Sequence, residues 1–155
     1  MSLIIRNLKK EDIPAALKIA LETKASCNPA EAKKVMEMSL VPGISPLNPN
    51  YFVLILNGEI IGISGLFYDY EDPSDVLWMD YFAVKPELQR HGYGTRMLEN
   101  LEKICKKRKA RMLCVFTDNK DAVKFYKDNG FKVCGKIDNY YAKSKSRIWL
   151  NKFLK

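Results

Sequence analysis

Seven residues, Gln89-Arg90-His91-Gly92-Tyr93-Gly94-Thr95, join the end of an apolar run, Leu77 to Val84, to the start of an amphipathic segment. Two glycines there let backbone come close to a ligand. N–H groups at the opening of a helix have no intrahelical partner, and the helix dipole favours negative charge, so such a loop is an anion site. The ligand it suits carries phosphate. A P-loop would read Gly-x-x-x-x-Gly-Lys-Ser/Thr, and a dinucleotide fingerprint would add a third glycine and an acidic residue about 20 positions on. Neither pattern is present. Upstream, Asp80 stands in the middle of the apolar run Leu77 to Val84. A carboxylate there is costly unless it is paired, hydrated or functional. Strand alternation would put Asp80, Phe82 and Val84 on one face.

A second segment, Asp118 to Phe131, follows the next apolar run, Arg111 to Thr117. It holds Asn119, an alanine three positions on (Ala122), the pair Phe125-Tyr126 and then Gly130-Phe131. With the Gln-x-x-Gly-x-Gly of residues 89 to 94, this order and separation resembles the GCN5-related N-acetyltransferase (GNAT) family. The resemblance covers essentially the whole chain and is most specific from 77 to 131. It implies acetyl-CoA as cosubstrate and direct transfer of an acetyl group to a primary amine in a ternary complex.

Residue roles follow from the resemblance. The strand ending at Val84 would part from its neighbour where the cofactor enters, and Phe82, Ala83 and Val84 would line the pantetheine arm. Phe82 N–H would face the acetyl oxygen, and Val84 N–H and C=O would hold the arm. The pyrophosphate would sit on N–H groups of Gln89, Arg90, His91, Gly92, Tyr93, Gly94 and Thr95. Asn119 would touch the pantetheine amides, cap a helix, or do both, and Ala122 would close the site. Tyr126 matches the family's tyrosine, a general acid toward the thioester sulfur; the alternative is a tyrosine packed on the core beside Phe125. Asp80 stands where many members carry an acidic residue, often Glu, that deprotonates the amine, usually through water. The shorter Asp favours a water relay, and the alternatives are a structural hydrogen bond to a neighbouring strand residue or a carboxylate that fixes the substrate amine without moving protons. His91 is the only histidine, and in this loop its backbone matters more than its ring, so it is not expected to be catalytic.

These residues need a frame. Leu3 to Leu8 reads as a strand, and Ile13, Ala16, Leu17, Ala20 and Leu21 recur at helical spacing, giving a helix to about Lys24. A second helix is expected over Pro29 to Leu40, and the prolines and glycine of Val41 to Asn50 make a loop. Tyr51 to Leu56 and Glu59 to Tyr68 form a hairpin about Asn57-Gly58. After the glycine loop, Met97, Leu98, Leu101, Ile104 and Cys105 mark one face of a helix. Arg111 to Thr117 is a buried strand, Asp118 or Asn119 can cap the next helix, and Asn129-Gly130 stops it. Phe131 to Ile137 and Arg147 to Phe153 close the sheet across a loop, Asp138 to Ser146. The expected fold is a single α/β (α+β) domain over 1–155, with a mixed, mostly antiparallel sheet of about seven strands and about four helices.

Composition agrees. A chain of 155 residues buries roughly 70% of its unfolded surface, and a hydrophobic content of 47% excludes disorder. No apolar run approaches the 18 to 20 or so residues that span a bilayer, and Met1 to Arg6 reads as a strand and not as a signal peptide. Cys27, Cys105, Cys114 and Cys134 show no Cys-x-x-Cys spacing and are expected to be reduced, buried thiols in a cytoplasmic protein. No His, Cys and carboxylate cluster has metal spacing, so no metal is expected.

The formal charge of +8 suits a polyanionic cofactor as well as nucleic acid or lipid. Much of it lies in Lys103 to Lys109, where cations complement a helix C-terminus. The other lysines are scattered without an interleaved aromatic platform, so nucleic acid is not an expected partner. By resemblance the acceptor amine would contact Cys27 to Asn50 and Asp138 to Ser146. Tyr140 and Tyr141 could frame a peptide backbone there, and Lys143, Lys145 and Arg147 favour an acceptor with a carboxylate. An amino acid, a peptide or a protein N-terminus fits this best. A polyamine or other small amine, and an acetyl-CoA-binding regulator without turnover, are the alternatives; a homodimer stays open.

Overall fold

The computed structural model describes residues 1–23, 28–42 and 49–155. Seven strands form one sheet: β1 (Leu3–Asn7), β2 (Asn50–Leu56), β3 (Glu59–Phe67), β4 (Val76–Val84), β5 (Met112–Thr117), β6 (Lys132–Ala142) and β7 (Lys145–Phe153), in the order β1-β2-β3-β4-β5-β7-β6. Every pairing is antiparallel except β4 with β5. Helices α1 (Ile13–Glu22) and α2 (Pro29–Ser39) pack on one face, α3 (Tyr93–Lys107) and α4 (Lys120–Asp128) on the other. The mixed sheet and four helices match the expected fold.

Local chemistry explains the elements. Asn57 and Gly58 both take left-handed φ, 49° and 86°, as a tight hairpin turn requires. Asn28 caps α2, its Oδ1 accepting from Ala30 N–H and Glu31 N–H. The buried Asp12 ahead of α1 accepts two hydrogen bonds from the Arg6 guanidinium, at 2.6 and 3.0 Å, and one from Lys9 N–H at 2.7 Å. Leu98 and Leu101 of α3 pack with Leu77, Leu113 and Leu150 of the sheet, all essentially without solvent contact. On the opposite face Ile19, Met36, Val53 and Ile63 fill a second core.

Several expectations need correction. Helix α1 buries Ile13, Ala16, Ile19 and Ala20, with Leu17 half-buried and Leu21 exposed. The helix is apolar nearly all round, so its inward face could not be chosen from spacing. Residues 138–146 are not a loop: β6 and β7 run on to a two-residue turn at Lys143 and Ser144, with Ala142 paired to Lys145 and Ser144 at φ 64°. The irregularity is upstream, where Asn139 takes φ 55° and its Oδ1 accepts from Ser144 N–H. Cys105 and Cys114 are buried, and burial pushes both thiols up to about 12, but Cys134 is exposed on the edge strand. Cys27, Lys24 and residues 43–48 of the expected Val41 to Asn50 loop lie outside the described residues. No described helix is long and apolar enough to cross a membrane.

Candidate active site

The site is built around a break in the sheet. Strands β4 and β5 pair only through Val76, Leu77 and Trp78. Beyond Cys114, β5 continues along β7, so among the described residues the second half of β4 pairs with no strand on that side. Between Met79 and Thr117 a cleft of about 680 Å³ opens. The parting of β4 from its neighbour is therefore present.

Within this stretch β4 carries a bulge. Gly65 pairs with Asp80 and Ile63 with Ala83, so Tyr81 and Phe82 together oppose the single residue Ser64, and Tyr81 takes φ 46°. A tyrosine in the left-handed region is uncommon and stores strain, of a kind that clusters at functional sites. The consequence corrects the expected alternation. Asp80 and Phe82 do not share a face: Phe82 packs on Phe125 and Tyr126 under α4, whereas Asp80 lies opposite, on the α1 side, against Tyr51.

Asp80 has a built environment. Tyr51, Gly65 and Asp80 form one cross-strand row. A Cβ at Gly65 would stand 2.6 Å from the Tyr51 ring, so only glycine lets that ring lie across β3. The Tyr51 hydroxyl then donates to Asp80 Oδ2 at 2.5 Å. Burial raises the Asp80 carboxyl above its ordinary range; the hydrogen bonds from Tyr51 hydroxyl and Tyr81 N–H oppose this without cancelling it. The tyrosine is pushed up too, first by burial and then by the carboxylate, so Tyr51 stays a donor. Sequence reading gave Tyr51 and Gly65 no role. The available signals were a glycine inside a strand and an aspartate in need of a partner.

The two loop glycines are required for different reasons. Gly92 is the N-cap of α3 at φ 81°, where other residues are strained, and no side chain caps the helix. The first described helical bond is Arg96 N–H to Gly92 O, at 3.1 Å, so the N–H groups of Tyr93, Gly94 and Thr95 are left for a ligand. Gly94 is needed for packing: a Cβ there would stand 3.3 Å from the Phe125 ring. Gln89 Nε2 donates to Val84 O at 3.0 Å and pins the loop to β4. Lys85 N–H bonds Ile61 O on the β3 side, so alternation turns the Val84 main chain toward the cleft. The Val84 carbonyl, expected to hold a ligand arm, is thus already engaged by Gln89. His91 is exposed, its Nδ1 on Gln89 O and its ring stacked on Tyr93.

Across the cleft, Asn119 caps α4, its Oδ1 accepting from Asp121 N–H at 2.8 Å and Ala122 N–H at 3.4 Å, which leaves its Nδ2 as a donor. Tyr126 is buried among Phe82, Phe125 and Phe131, and burial alone raises its hydroxyl. Of the residues singled out in the sequence, Asp80, Phe82, Ala83, Val84, Gln89, Arg90, Gly92, Gly94, Thr95, Asn119, Ala122 and Tyr126 all line this cleft; His91 and Tyr93 do not. Tyr81, Phe116 and Arg147 line it as well. The donors at α3, the outward Val84 main chain and the amide of Asn119 suit a long phosphate-bearing cofactor with an amide-containing arm.

A spermine/spermidine N(1)-acetyltransferase of Bacillus subtilis is 29% identical over 92 residues, which are 55% of this chain and 60% of that protein. The match thus spans less than two thirds of the curated relative. The ribosomal-protein-S18-alanine N-acetyltransferase of Escherichia coli superposes with a TM-score of 0.78 at 24% identity, over 99% of this chain and 95% of that one. An aminoglycoside 6'-N-acetyltransferase complexed with coenzyme A gives a TM-score of 0.78 at 17% identity, over 98% and 97% of the two chains. At these identities the structural likeness is one of fold. The model of the acetyltransferase (GNAT) family matches residues 16–131, and the chain belongs to that family.

Proposed function

We propose that this protein is an acetyl-CoA-dependent N-acetyltransferase acting on a primary amine by direct transfer, with an amino acid, peptide or protein N-terminus as acceptor. One observation carries the reading: the break between β4 and β5 opens to both faces of the sheet, with the free N–H groups of α3 and Tyr126 on one side and Asp80 on the other. Acetyl-CoA supplies an activated acyl thioester, so that a C–N bond to the acceptor forms as the C–S bond breaks and coenzyme A leaves as a thiol.

The chain's residues manage binding and protons. Backbone donors of Gly94 and Thr95 receive phosphate, Arg90 adds charge at the cleft, and the main chain of Phe82 and the N–H of Val84 hold the arm. Asp80, through water, takes one proton from the acceptor ammonium and passes it to solvent, leaving the neutral amine. Its raised pKa brings it closer to that task at neutral pH. Tyr126 gives its hydroxyl proton to the departing sulfur and is restored by the second proton that the nitrogen sheds. Its raised pKa keeps it protonated until then. The balance is one proton released per amide formed.

A polyamine acceptor is a second reading. The name of the Bacillus subtilis relative suggests it, and Asp80, Asp118 and Asp121 all line the cleft. Initial rates at varied acetyl-CoA and acceptor test the mechanism: direct transfer predicts intersecting double-reciprocal lines and no acetylated protein by mass. Parallel lines with an acetylated enzyme would overturn it.

A further inference from the structure

Arg147 occupies the sheet face that carries Asp80. Along β7, Ile148 and Leu150 join the core under α3 and α4, so Arg147 and Trp149 point the other way. On β5, Phe116 does the same, packing on Trp78, which precedes Asp80 by two residues. The Arg147 guanidinium carbon lies 3.8 Å from the Phe116 ring centre, 5.0 Å from that of Tyr140 and 5.1 Å from that of Trp149. Its Nη1 donates to the Tyr140 hydroxyl at 3.0 Å.

What the arginine lacks is informative. Among the described residues no carboxylate pairs with it, and its Nε is buried without a hydrogen-bond partner. A guanidinium held against three rings, with one donor unmet, keeps its charge and hydrogen-bonding capacity for an anionic acceptor. It lines the cleft, and its planar fork matches a carboxylate in two-point contact.

We propose that Arg147 binds the carboxylate of the acceptor, so that the substrate is an amine that also carries a carboxylate, an amino acid or short peptide, with its amine toward Asp80. This rests on the transferase reading and narrows its acceptor. A polycation would meet Arg147 with like charge. Asp80, on the same sheet face, then serves the ammonium end of the substrate.

The test compares free amino acids and dipeptides with their carboxyl-terminal amides, and with spermidine, as acceptors for the wild type and Arg147→Gln. Thiol release gives the rates, and calorimetry on the coenzyme A-saturated protein gives acceptor binding. The expected result is a kcat/KM for the preferred acid about 10- to 100-fold above its amide, arising in KM, and a ratio near one in Arg147→Gln. Equal rates for acid and amide, a ratio that survives Arg147→Gln, or preference for spermidine would overturn the assignment. If no acceptor turns over, the transferase reading fails by itself. Binding then decides: acid preference lost in Arg147→Gln supports the Arg147 site, and binding without acid preference overturns it.

Discussion

Asp80 and Phe82 stand two positions apart on one strand and face opposite sides of the sheet, because Tyr81 between them takes φ 46° within a bulge. That geometry divides the labour. Phe82 leads into the aromatic cluster of Phe125 and Tyr126, and Asp80 turns to the face where Tyr51 and Trp78 lie.

Asp80→Asn tests the base without removing the shape. Acceptor turnover should fall about 100-fold or more, and the rising limb of the pH profile should vanish. In the wild type that limb lies above the ordinary carboxylate range, since burial raises the Asp80 carboxyl. The sign for stability is the reverse. A carboxyl whose folded pKa is raised leaves the folded state holding a charge it disfavours once the pH passes that value, so stability declines as pH rises through it. Thermal unfolding at neutral pH should therefore show Asp80→Asn at least as stable as the wild type, and a marked drop in Tm would assign Asp80 to structure.

Tyr126→Phe should separate chemistry from packing. The hydroxyl is raised by burial alone, so its loss should change urea-unfolding stability by less than about 1 kcal/mol. Turnover should fall about 100-fold while calorimetric acetyl-CoA affinity stays close to wild type. Unchanged turnover would leave Tyr126 as a core residue.

The two loop glycines should fail differently. Gly92→Ala places a side chain at φ 81° and should cost about 1 to 2 kcal/mol in urea unfolding, with weakened acetyl-CoA binding. Gly94→Ala has no such φ and instead presses on Phe125, so its effect should be relieved by a smaller residue at 125. A double-mutant cycle with Phe125→Leu checks this, and additive effects would contradict it.

Asp12 should set an acid limit on stability. Arg6 holds the Asp12 carboxyl below its usual value, with Lys9 N–H assisting. A depressed folded pKa contributes stability that is fully present above the unfolded value of about 3.9 and is lost as pH falls through the folded one. Asp12→Asn should flatten the acid side of the stability profile measured by urea unfolding from pH 2 to 6, and an unchanged profile would remove the pair from that role.

Much of this was legible in residue order. Gly92 and Gly94, the cap at Asn119 and the stop at Gly130 are local signals whose physics depends on their neighbours in the chain. The bulge at Tyr81 was not, because nothing local makes a tyrosine left-handed; it follows from how β3 and β4 register. The partnership of Tyr51 with Asp80 spans 29 residues and needs Gly65 between them. The turn at Lys143 and Ser144 lacks the Asn-Gly type of signal, so β6 and β7 were read too short.

The most direct test of the central claim is a single-turnover reaction of the wild type with acetyl-CoA and the acceptor panel, analysed by mass. One acetylated amine and one free thiol should form per acetyl-CoA consumed, with the protein itself unmodified. Tight acetyl-CoA binding with neither product across the panel would contradict the account and make the protein a binder of acetyl-CoA without turnover.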